Sequence, residues 1–88
     1  MKAVITVLGK DTIGIIAGVS QALAEEKINI LDIRQTIMGE IFSMFMMVDV
    51  PENADFAYLN DKFDNLGEKL GVRIQITQEK IFDSMHRI

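Results

Sequence analysis

Between Leu8 and Gly14 the chain changes its hydrophobic period, and that change limits what can follow. Ala3 to Leu8 is a short β-branched apolar run. Beyond Gly14, residues Ile15, Ile16, Val19, Ala22 and Leu23 recur at i, i+1, i+4, i+7 and i+8, one face of an amphipathic helix. Strand therefore passes to helix within a few residues. Asp11 is placed to cap the helix, its carboxylate accepting from first-turn amides, and Gly14 removes a side chain from the turn. Such a turn reads in two ways. It is a capped strand-to-helix junction, or it is an anion site, because the dipole and the orphan N–H groups converge there.

The strand before this turn is expected over 2–8 and the helix over 12–26, with Lys27 at its end, where a cation suits the dipole. Lys27-Ile28-Asn29 turns the chain, with Asn29 as the residue that tolerates a left-handed backbone. A second strand over 30–38 sets Leu31, Ile33 and Ile37 against Asp32, Arg34 and Thr36. Gly39-Glu40 makes a two-residue hairpin into the third strand, 41–50. There Phe42, Met44, Met46, Val48 and Val50 share one face, and Ile41, Ser43, Phe45, Met47 and Asp49 share the other. Methionines alternating along a central strand are adaptable core filler. Pro51 stops the strand. Phe56, Leu59, Phe63, Leu66 and Leu70 then mark a second helix with Asp61, Lys62, Asp64, Glu68 and Lys69 on its solvated side, and Gly71 closes it. A fourth strand covers 72–77, and Ile81, Phe82, Met85 and Ile88 are spaced for a short tail helix over about 79–87.

The expected fold is α+β, a single domain over 1–88. Two strand-helix-strand halves give a ferredoxin-like βαββαβ sandwich: a four-stranded antiparallel sheet in the order 4-1-3-2, two helices on one face and a short C-terminal helix. The most apolar strands, one and three, then take the centre. One face of the sheet is left with Ile41, Phe45, Met47 and residues of strand one, such as Val4 and Leu8, and needs a cover. The tail helix and a second subunit are the two candidates.

Several functions are excluded by chemistry. The formal net charge is -4 and the nine Lys and Arg residues are scattered, which disfavours nucleic acid. No cysteine is present, and the one histidine, His86, sits near the end of the chain. That removes thiol and Ser-His-Asp nucleophiles and leaves a metal without a home. The glycines at 9 and 14 match neither nucleotide-binding fingerprint. Glu25-Glu26 is explained by solvation at a helix end. The N-terminal apolar stretch is too short for a signal peptide or a membrane span. The chain is expected to be a cytoplasmic, non-catalytic protein with no cofactor, no metal, no catalytic residues and no membrane partner.

Asp11-Thr12-Ile13-Gly14-Ile15 before a helix and Lys27-Ile28-Asn29-Ile30 at the next strand resemble the ACT domain, a small-molecule regulatory module of amino-acid metabolism. The whole chain, including Phe42-Ser43-Met44 and Ile81-Phe82, is similar to stand-alone single-domain ACT proteins of bacteria and archaea. Ile13 stands where many relatives have proline. The resemblance implies a homodimer or higher homo-oligomer with an amino acid held between subunits. Asp11, Thr12, Ile13 and Gly14 would come from one chain, and Asn29 and Ile30 from another. Helix amides suit an α-carboxylate, while Asp11 and the Asn29 amide suit an α-ammonium. It also implies an alternative role without ligand: a structural dimerisation subunit of a separately encoded metabolic enzyme.

Overall fold

The computed structural model describes residues 1–10 and 14–81. Its elements are β1 (Lys2–Lys10), α1 (Ile15–Glu25), β2 (Asn29–Met38), β3 (Ile41–Asp49), α2 (Phe56–Leu70) and β4 (Val72–Gln78). All neighbouring strands are antiparallel and the sheet order is β2-β3-β1-β4, the expected 4-1-3-2 read from the other edge. A helical turn starts at 79–81. The rest of the expected tail helix lies outside the described residues.

Alternation along the strands decides which side of the sheet is filled. Ala3, Ile5 and Val7 of β1, Phe42, Met44, Met46 and Val48 of β3, and Ile74 and Ile76 of β4 form one buried layer. They pack with Ile15, Val19, Ala22 and Leu23 of α1 and with Leu59 and Phe63 of α2, so both helices lie on the same face. The methionines at 44 and 46 are core residues. Gly67 lets α2 settle onto the sheet: a Cβ there would stand 2.6 Å from the Val72 carbonyl oxygen. Asp55 caps α2 by accepting from the amides of Ala57 and Tyr58, and Gly71 closes it in a left-handed conformation.

Three local expectations are corrected. First, α1 starts at Ile15, and its cap residue is Gly14 (φ 92°) rather than Asp11. Asp11, Thr12 and Ile13 lie outside the described residues. Second, the left-handed residue after α1 is Lys27 (φ 58°), not Asn29. The Lys27 amide donates to the Ala24 carbonyl at 3.1 Å and the Ile28 amide to that of Leu23 at 2.9 Å, a Schellman closure that buries Ile28. Asn29 is thereby released to open β2. Third, Leu31 is an extra residue in β2, where the register shifts between Ile30 and Asp32. The bulge moves Ile30, not Leu31, onto the face of Ile33 and Ile37. After it, Ile33 pairs with Met46 and Ile37 with Phe42, which places these isoleucines on the helix side of the sheet.

Candidate functional site

The helix-side face of β2 is left uncovered within one chain. β2 pairs with β3 alone, its other edge is open, and all ten of its residues are exposed. Ile16 of α1 (46% exposed) and Ile30, Ile33 and Ile37 of β2 (39%, 37% and 60%) form a stripe of isoleucine along this edge. Apolar surface in such a row is unusual on a small domain, whose exposed apolar residues are normally scattered.

At one end of the stripe lies a groove of about 570 Å³ lined by Gly14, Ile15, Ile16, Ala17, Gln35, Ile37 and Phe42. Its upper wall is the first turn of α1. The left-handed Gly14 starts that turn and its carbonyl accepts from the Gly18 amide at 2.8 Å. The first amides of a helix have no intrahelical acceptor, so those of the opening turn are available to an anion. Among the described residues, Gln35 is the one polar side chain on the wall. The groove can therefore hold a small molecule with an acceptor at one end and an apolar body.

Gly14 lines this groove, whereas Asn29 and Ile30 begin β2 at the far end of α1, a helix about 16 Å long. One chain does not bring the two groups together; a site uniting them needs two copies. Gln35, Ile37 and Phe42 were not among the expected site residues. Their signal was the two-residue period that puts 35 and 37 on the helix side once the strand is past its bulge.

The other end of α1 is tied down by charge. The Lys62 ammonium donates to Glu25 Oε1 at 2.9 Å and to Glu26 Oε2 at 2.7 Å, and the Tyr58 hydroxyl donates to Glu26 Oε2 at 3.2 Å. The expectation that Glu25-Glu26 and Lys62 are ordinary solvated charges is corrected: Lys62 bridges the two helices. Its hydrogen bonds to Glu25 and Glu26 raise its pKa above the usual lysine range. Lys62 in turn, with Tyr58, holds the Glu26 carboxyl below its ordinary value. Among the described residues no three metal-ligating side chains cluster, and no helix is long and apolar enough to cross a membrane.

Residues 2–77 match a family model described as ACT domain. A UPF0237 protein of Clostridium acetobutylicum is 56% identical over 89 residues, covering 100% of both chains. Among solved structures, an ACT domain protein from Streptococcus pneumoniae is 48% identical, covers 98% of each chain and superposes with a TM-score of 0.86. A putative glycine cleavage system transcriptional repressor superposes at 0.72 with 25% identity, over 86% of this chain and 44% of its own.

Proposed function

The chain belongs to the ACT-domain family, and from that premise we propose that it is a non-catalytic regulatory module that binds a free amino acid between two copies of itself. The observation that carries this reading is the open edge of β2 with its isoleucine stripe running into the groove at Gly14. An edge strand offers a row of unpaired amides and carbonyls to a second identical strand. Antiparallel pairing centred on β2 would set Asn29 of one copy opposite Met38 of the other, and Ile30 opposite Ile37. The stripe would be buried, and Asn29 and Ile30 of one copy would reach the groove of the other.

An amino acid suits such a site. Its carboxylate would accept from the opening amides of α1, and its side chain would lie on Ile16, Ile37 and Phe42. The Asn29 amide, with Asp11, would hold the ammonium. A structural relative described as a putative glycine cleavage system transcriptional repressor supports a regulatory role. The module is read as cytoplasmic, passing its signal to a separate protein.

Titration calorimetry against the twenty amino acids tests the reading. At least one is expected to bind, and Asn29→Ala is expected to weaken it at least tenfold, since a hydrogen bond to a charged group contributes about 1.5–3 kcal/mol. Asp11→Asn is expected to lose binding while the fold is kept. If none binds at millimolar concentration, the ligand reading falls and the protein is a dimerisation subunit of a separate enzyme.

A further inference from the structure

The two outer strands of the sheet carry opposite chemistry. β2 ends it on one side with the isoleucine stripe, and β4 ends it on the other. Among the described residues β4 pairs with β1 alone, so alternate amides and carbonyls along Val72–Gln78 point away from the sheet. Its isoleucines, Ile74 and Ile76, are buried in the core, unlike those of β2. Beside the strand opens a hollow of about 470 Å³ whose walls include Asp64, Gly67 and Glu68 of α2, with Gly71 and Val72 after them. We propose that this edge receives a basic, extended segment of another protein, added to the sheet as a further strand beside β4.

Charge and register select that occupant. Asp61, Asp64 and Glu68 are spaced i, i+3 and i+7 on α2, one exposed line of carboxylates. The chain reverses at Gly71 directly into β4, so the line runs back along the strand. Gly67 brings it close, because its missing side chain lets α2 rest on the Val72 carbonyl. Neither Asp64 nor Glu68 makes an ion pair with a described residue. A second copy is refused here. Antiparallel pairing of two β4 edges keeps both sets of helices on one side of the joined sheet and sets two acidic lines side by side.

A strand with lysine or arginine toward the helices meets the opposite charge instead. On the other face of the sheet, Arg73, Gln75 and Thr77 flank the edge, in register with Leu8, Thr6 and Val4. There the incoming side chains must be uncharged, since Arg73 repels a cation. Side chains alternate along a strand, so the two faces together demand basic and neutral residues in turn. This edge lies across the sheet from the groove at Gly14, and its role does not depend on a ligand binding there.

Fluorescence anisotropy and amide hydrogen exchange on the full chain test this. The probe is a blocked peptide alternating lysine and threonine, as long as the 7 residues of β4. It is expected to bind, to slow exchange at the outward amides of β4, and to be released as salt rises. Asp64→Asn combined with Glu68→Gln is expected to weaken it about tenfold, as two exposed pairs should, with an unchanged circular dichroism spectrum. A scrambled isomer with its lysines contiguous is expected to bind more weakly and to leave β4 exchange as it was. If the isomer binds as well, or if binding leaves β4 exchange unchanged, charge alone attracts the peptide and strand addition is overturned. An unweakened double variant overturns the choice of a basic partner. If the alternating peptide does not bind at millimolar concentration, the carboxylates only guard the edge and the proposal falls. Slow exchange at the outward amides before any peptide is added also overturns it, because the chain's own last residues or a second copy then cover the edge.

Discussion

Gly14 is the residue on which the groove turns. A Cβ at this position would meet nothing within 4 Å, so the glycine is required by its φ of 92° rather than by crowding. Gly14→Ala is accordingly expected to cost about 1–2 kcal/mol through a left-handed backbone, measured by urea denaturation. An unchanged midpoint would show that the turn relaxes freely. Lys27 takes a similar backbone (φ 58°) without a glycine, and for that reason its role was not legible. Lysine carries no left-handed signal of the kind that had pointed to Asn29, and the Schellman bonds made by the amides of Lys27 and Ile28 belong to the backbone. Gly14, by contrast, stood out because it follows an apolar run and precedes a helical period.

Helices α1 and α2 share one electrostatic tie, and it has a pH signature. Lys62 hydrogen-bonds Glu26 and lowers its carboxyl pKa from the ordinary 4.5. A carboxyl depressed in the folded state stabilises above its unfolded pKa, and that contribution is lost as pH falls through the folded value. Lys62 is raised, so its contribution is complete below the ordinary 10.5 and is lost only in strong base. Lys62→Met is therefore expected to cost up to about 1 kcal/mol at pH 7, as befits partly exposed pairs. The gap from wild type should close as pH drops below 4.5. Denaturation curves at several pH values check both points; a gap independent of pH would assign the loss to packing. The tie was hidden from the sequence because Glu25-Glu26 and Lys62 are far apart along the chain and meet only when two helices pack. The elements themselves were readable. Phe42 to Val50 alternates without a break, and Phe56 to Leu70 keeps its helical spacing to the closing Gly71. The bulge at Leu31 was not readable, since Ile30 and Leu31 are both apolar and the sequence does not mark which of them shares a face with Ile33 and Ile37.

For the molecule as a whole, the proposed pairing of two copies along the isoleucine edge would make concentration a variable of stability. Whatever binds the folded chain and not the unfolded one raises the midpoint by mass action. Thermal unfolding followed by circular dichroism across a hundredfold dilution is expected to show a midpoint that falls with protein concentration. A midpoint flat over that range would mean that the single chain is stable without a partner. The two-layer plan was legible from alternation and element order. The groove was only half legible, through Gly14, because its other wall is built from Gln35, Ile37 and Phe42 on strands that come later in the chain.

The sheet order has a consequence for how the protein is made. β1 is made before both of its partners, yet it is an inner strand that pairs with β3 and β4. The nascent chain therefore carries Ala3, Ile5 and Val7 unpaired until Ile41–Asp49 has emerged, and it waits for Val72–Gln78 to complete the second ladder. The β1–β4 ladder cannot form until Val72–Gln78 has been made. Completion of the sheet is then a late event, and a truncation ahead of Val72 leaves β1 with an open edge for chaperones and proteases to find.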